Sequence, residues 1–263
     1  MDRGVNYFVL LGALASFSAR ANPSELPPGS AIDENYRNQF AQCDARDVFQ
    51  GVQFPIRGKS GKVIWYGCKS DPSRFTRFES LSSPGRPEAV LVEAKLAWDD
   101  DGSPSACSSA HGVTSQCPTS LKLDAPDPSH CVLPSKTGKE CVPLNADLVP
   151  YVVIPSAAPK GIEMGAFQRL SNVKLGDYGV VIANGKVVPV IVGDEGPAYK
   201  IGEGSSALLR KLSNDGKLRT YASGAKVVLF PHTADDRGAL SLDTLPEAVQ
   251  AKGSDLYSKL TKQ

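Results

Sequence analysis

The sequence predicts a mainly β protein, and three observations carry that expectation. The 263 residues include 20 prolines and 24 glycines, which would break the helices of a bundle but suit the turns of a loop-rich sheet. Short apolar, β-branched runs recur along the chain, and Asn184-Gly185 joins two of them with residues that both accept the positive φ of a tight hairpin turn. The six cysteines (Cys43, Cys68, Cys107, Cys117, Cys131 and Cys141) all precede the regular second half, in a region where cross-links would replace missing secondary structure.

Taken in order, residues 1–21 read as an export signal. Arg3 supplies an early positive charge, Val5 to Phe17 are apolar or small, and Ala19-Arg20-Ala21 is a small-x-small cleavage pattern. The rival reading, an uncleaved membrane anchor, needs about 20 apolar residues, and this run is shorter. Residues 22–40 begin proline-rich and polar and are expected to form a flexible lead. Residues 41–240 are assigned to one domain and 241–263 to a tail that can form a surface helix, with Gly253 an obstacle to its continuity.

Strands are expected at 62–66 (KVIWY), 75–78 and 89–98 (AVLVEAKLAW), the last alternating apolar and polar residues. Residues 99–147 are irregular and rich in Asp, Ser, Pro and Cys, and four cysteines fall there. A structureless stretch of that length is unusual unless it is tied down. Residues 149–154 (VPYVVI) read as a strand ending at Pro155. The hairpin follows, with Tyr178 to Ala183 and Lys186 to Val192 as its arms, then a short helix in SSALLRKLSNDG and a strand at 225–230 ended by Pro231.

Composition narrows the function classes. Hydrophobic residues are 41% and charged residues 22%, which is ordinary for a globular chain. The formal charge of +1 argues against a polyanion binder with a broad basic surface, and removal of residues 1–21 brings it to zero. An even cysteine count in an exported chain implies up to three disulfides, whose pairing the sequence leaves open. Zinc is the rival, but no Cys-x-x-Cys occurs, and His111, His130 and His232 lack ligand spacing.

One constellation can carry chemistry. Strand 186–192 delivers Gly193-Asp194 at its end, and Gly202-Glu203-Gly204 follows nine positions later. The glycines let backbone approach a substrate closely. Two carboxylates at a controlled separation can serve glycosidic hydrolysis, one donating a proton to the leaving oxygen and the other activating water or attacking carbon. The structural alternative is that Asp194 and Glu203 satisfy turn amides and cap the helix that follows.

At these residues the chain resembles a family. GDYGVVIANGKVVPVIVGDEGPAYKIGEGSSALL (176–209) is similar to the catalytic core of glycoside hydrolase family 75, the fungal-type endo-chitosanases, with their Gly-Asp pair at a strand end and following Gly-Glu motif. The similarity extends to KLAWDDDGSPSACS and QCPTSL within 95–121 and to YVVIPS (151–156), covering about residues 60–232. The resemblance implies hydrolysis of β-1,4 links between glucosamine units with inversion, without metal or organic cofactor. Carried over by position, Asp194 and Glu203 are the catalytic carboxylates. Glu203 is the expected acid and Asp194 the expected base, although the residues leave the roles exchangeable. Resemblance to β-barrel glycosidases further implies a small closed barrel, double-psi-like, with a disulfide-tied loop region and a few short helices. The Asp-to-Glu loop is shorter than in the fungal enzymes, Asp99-Asp100-Asp101 departs from the family's acidic pattern, and 233–263 has no counterpart.

Chitosan is a polycation at mildly acidic pH, so its groove should carry carboxylates. Asp99, Asp101 and Glu195 are expected to contact substrate, as is Tyr199; Asp100, Asp235 and Asp236 are further acidic candidates. The 99–101 run reads equally as a solvated turn or a calcium loop. Trp65, Trp98 and Tyr178 can stack on sugars or belong to the core, and Lys186 and Lys200 read as surface charge. The expected protein is thus a secreted or periplasmic, monomeric hydrolase of chitosan. Alternatives are a hydrolase of another amino-sugar polymer such as peptidoglycan, and a non-catalytic carbohydrate-binding protein.

Overall fold

The computed structural model describes residues 25–36, 55–57, 63–66, 77–104, 106, 118–123, 142–157, 165–197, 202–219, 221–234 and 244–262. All six cysteines, Tyr199, Lys200, Asp235 and Asp236 lie outside them, as does the proposed signal segment. Among the described residues no helix is long and apolar enough to cross a membrane.

The chain is mainly β and closes into a six-stranded barrel. The first four strands are β1 (Ser30–Ala31), β2 (Pro55–Arg57), β3 (Val63–Tyr66) and β4 (Arg77–Leu81). They are followed by β5 (Ala89–Asp99), β6 (Lys122–Leu123), β7 (Val142–Pro143) and β8 (Tyr151–Ala157). The hairpin supplies β9 (Tyr178–Ala183) and β10 (Lys186–Pro197), and β11 (Glu203–Ser205) and β12 (Tyr221–Phe230) complete the set. The barrel runs β5-β11-β8-β10-β9-β12, and β12 pairs back onto β5. Two of its pairings are parallel, β10 with β8 and β11 with β5. Strand β4 adds to β5 beside β11 and carries β1, while β2–β3 and β6–β7 are separate two-stranded ribbons.

Local sequence explains the central hairpin. Asn184 and Gly185 have φ of 53° and 71°, the pair of left-handed residues that a two-residue turn between twisted strands requires. Both faces of the sheet are covered, which is why its strands read as nearly unbroken apolar runs. The inner face packs Val90, Val92, Leu96, Val152, Val190 and Val192 into one cluster. The outer face places Leu91, Tyr151, Val153, Ile191 and Val228 in a second.

Among the described residues three helices pack on the sheet: α1 (Ala166–Ser171), α2 (Ser206–Leu212) and α3 (Leu245–Thr261). Helix α2 inserts Leu208, Leu209 and Leu212 into the inner cluster. Helix α3 lays Leu245, Val249, Leu256 and Leu260 on the outer face. It runs unbroken through Gly253, because that glycine marks a close approach to the hairpin. A Cβ there would lie 2.8 Å from the Gly179 carbonyl oxygen and from Pro189 Cβ.

Several elements differ from the sequence reading. Strand β8 continues through Pro155 to Ala157 rather than stopping at Pro155. Among the described residues its β11 partner pairs with Val152 and Val153, and Pro155 itself registers with Gly196 of β10. Strand β10 runs to Pro197, so Asp194 sits inside a strand and not at its end. Strand β12 begins at Tyr221, with a bulge between Ala222 and Ala225 where Gly224 takes φ 59°. Lys186 is not simple surface charge: its Nζ donates to the carbonyls of Lys211 and Ser213 at the C-terminal end of α2.

The Gly253 contact sets opposing effects against each other. Alanine is the better helix former by about 1 kcal/mol, but the new methyl would overlap backbone. Gly253→Ala is therefore expected to destabilise the fold by about 1–3 kcal/mol in chemical denaturation, and an increase in stability would contradict the packing described.

Candidate active site

A one-residue register error creates the site. Val192 pairs with Val152 on the inner face, and a regular strand would return to that face two residues later, at Asp194. A bulge between Val192 and Asp194 instead registers Asp194 with Val153, an outer-face residue. Parity flips, and the carboxylate escapes the apolar barrel interior, where an ion would be costly. Gly193 is required at the bulge, since a Cβ there would sit 2.6 Å from Tyr151 Cβ.

Glu203 reaches the same place from the other side. It registers with Val153 of β8 and with Ala97 of β5. Asp194 and Glu203 thus flank one residue of the strand between them. Two inter-strand steps put their Cα atoms about 9–10 Å apart on a common face. Gly196 borders the same space: a Cβ there would lie 3.1 Å from Val153 Cγ1 and 3.5 Å from Glu203 Oε2. Half-buried Glu203 also lines a small pocket with Val153, Leu96 and Phe167. It does not cap α2. That role belongs to Ser205, whose Oγ accepts from Leu208 N at 3.2 Å.

Strand β5 ends beside this pair and brings Asp99 and then Asp101. Asp99, Asp101 and Asp194 each offer an oxygen within 4.8 Å of the others. Such hard oxygen donors could hold a divalent cation. The Tyr151 hydroxyl lies 3.1 Å from Asp99 Oδ2 and 2.8 Å from the Asp101 carbonyl oxygen, and its single proton is shared between these acceptors. Asp194 is 5% exposed, and its Oδ1 accepts from Ser120 N at 2.7 Å, Ser120 Oγ at 2.5 Å and Glu195 N at 2.7 Å.

Crowding and burial govern the protons. Burial first, then the charges of Asp194 and Glu203, push Asp99 up to about 7. Burial and the charge of Asp99 push Asp101 up to about 8. Burial also raises Asp194, opposed by the hydrogen bonds from Ser120 and Glu195. Tyr151 is held far above its ordinary value by burial and the surrounding acids, so it remains a hydroxyl.

Four of the sequence-derived site residues therefore converge: Asp194, Glu203, Asp99 and Asp101. Glu195 lies next to them, half-buried, with Gln168 Nε2 3.4 Å from its Oε1. Trp98, 41% exposed, donates from Nε1 to Ser206 Oγ at 2.8 Å and alternates with Asp99 along β5. Tyr178 is buried in the outer cluster, and His232 is an exposed turn residue with φ 64°. Sequence reasoning missed Ser120 and Tyr151 as site residues. Tyr151 looked like part of an apolar strand, and Ser120 carries no local pattern at all. A scan against models of protein families and a search of curated proteins match nothing to this chain.

The raised carboxyls make a signed prediction. The folded chain holds the Asp101 proton more tightly than an unfolded chain, whose value is near 3.8. No penalty arises below about pH 4, and it grows as pH rises toward about 8. Asp101→Asn is expected to raise the denaturation midpoint at about pH 8.5 and to change it little at about pH 4. An equal change at both pH values, measured by thermal unfolding, would contradict this electrostatic picture.

Proposed function

We propose that the protein is an exported glycoside hydrolase that cleaves β-1,4 bonds of chitosan with inversion at the anomeric carbon. One observation carries the reading: Asp194 and Glu203 flank Val153 from opposite sides on one face of the barrel. A Cα separation of about 9–10 Å suits carboxyl groups about 6.5–9.5 Å apart, the spacing that leaves room for an attacking water. The family 75 resemblance, carried by these same two residues, adds support.

In this reading Asp194 takes a proton from water, and the resulting hydroxide attacks C1 opposite the leaving sugar. Glu203 gives its proton to the glycosidic oxygen as the C1–O bond breaks. The products are an inverted hemiacetal and a free hydroxyl, and solvent resets the two carboxyls. Asp99 and Asp101 meet the ammonium groups of the polymer, and those cations lower the raised carboxyls so that they ionise against bound substrate. The protein acts as a secreted or periplasmic monomer, and no step requires a metal.

The test is reducing-end release from chitosan, with peptidoglycan in a parallel arm. Asp194→Asn and Glu203→Gln are each expected to lower the rate by about 10²–10⁴-fold while leaving the melting temperature near that of the parent. Proton NMR of the first product should give the α-anomer, and a chelator should leave the rate unchanged. Cleavage of peptidoglycan alone would move the substrate class. Binding without cleavage of either polymer would favour a carbohydrate-binding protein, and retained activity in both variants would remove the mechanism.

A further inference from the structure

The loop facing Asp194 is built rather than incidental. Thr119 is 0% exposed and Leu121 4%, and they anchor the segment on either side of surface-exposed Ser120. Thr119 Oγ1 donates to the Leu121 carbonyl at 2.8 Å and accepts from Leu144 N at 2.9 Å. Leu121 N donates to the carbonyl of Gly193, the bulge residue, at 3.0 Å. The loop is therefore fastened to the same backbone irregularity that turns Asp194 outward.

Its result is that Ser120 gives two donors, N–H and Oγ–H, to one carboxylate oxygen, Oδ1 of Asp194. Glu195 N adds a third donor to that atom and also lies 3.3 Å from Ser120 Oγ. An oxygen with three donors is saturated, so Oδ1 cannot accept a further proton. Transfer must use Oδ2, and the carboxyl plane is held by the loop.

We propose that Ser120 is a positioning residue that locks the Asp194 carboxylate with Oδ1 occupied, so that Oδ2 is the oxygen left for proton transfer, which assigns Asp194 the base role and leaves Glu203 the acid. This rests on the glycosidase reading above and deepens it. The groups facing Asp194 are Asp99 from β5, Asp101 from the turn after it, Tyr151 from β8 and Glu203 from β11. The three donors on Oδ1 come from Ser120 and the adjoining Glu195 amide, and the Asp101 carboxyl lies close enough to share a proton with Asp194 as well.

Two measurements test it. In kinetics on chitosan, Ser120→Ala is expected to lower kcat by about 10–100-fold with KM within about twofold, matching the loss of a charge-assisted hydrogen bond that orients the base. Ser120→Thr, which keeps the hydroxyl, is expected to restore most of kcat. A loss confined to KM, an unchanged kcat in Ser120→Ala, or no recovery in a folded Ser120→Thr would each overturn the proposal. Independently of any substrate, the Ser120 amide proton should resonate far downfield in the parent and move upfield in Asp194→Asn. An unmoved resonance would overturn the proposal even where chitosan is cleaved. A parent protein that cleaves nothing but shows the resonance shift would instead remove the glycosidase reading and keep the Ser120–Asp194 geometry.

Discussion

A single extra residue in β10 decides on which face of the barrel Asp194 lies. Without the bulge at Gly193, the two-residue period of the strand would drive Asp194 into a core of valines and leucines. With it, the same side chain emerges on the outer face beside Tyr151 and Asp99. The Asp194 half of the site depends on that change of parity, while β11 and β5 place Glu203 and Asp99. The 118–121 loop hydrogen-bonds to the Gly193 carbonyl, and Gly196 follows Asp194 on the same face two residues later. Bulges bend and re-aim strands in this way at the cost of local ladder hydrogen bonds.

The fold concentrates like charge where it can be borne. Asp99, Asp101, Asp194 and Glu203 repel one another, and burial strengthens that repulsion by removing water. A chain selected only for stability would not keep such a cluster, and local strain of this kind is a recurring mark of working sites. The surroundings offset the strain. Both faces of the sheet are packed, with α2 filling the inner cluster and α3 covering the outer one, so a poorly stable patch sits on a well-supported frame. A cationic polymer that supplied ammonium groups would relieve the same repulsion.

Local chemistry made part of this legible in advance. The Asn184-Gly185 hairpin, the apolar strands around it and the short helix after Glu203 follow from turn preference and periodicity alone. Features that depend on which strand lies beside which did not. Pro155 reads as a stop in isolation, yet β8 continues through it to Ala157 beside β10. The bulge is a mismatch between two strands and has no single-strand signature beyond a glycine. Gly176-Asp177 and Gly193-Asp194 are the same dipeptide, yet Asp177 is a structural carboxylate: its oxygens accept from Lys174 N at 2.7 Å and Ala234 N at 2.9 Å. Ser120 comes to Asp194 from 74 positions away through an irregular loop, a long-range contact that no pattern in the chain announces.

The central claim is that two carboxylates, separated by the width of β8, address one sugar linkage from opposite sides. A crystal structure of the Glu203→Gln protein with a chitosan oligomer bound tests it most directly. The account predicts a glycosidic oxygen within hydrogen-bond reach of residue 203, and a water on Asp194 Oδ2 aligned with the opposite face of the same sugar ring. An oligomer bound elsewhere on the barrel, or a sugar ring lying against Asp194 with no space for that water, would contradict it.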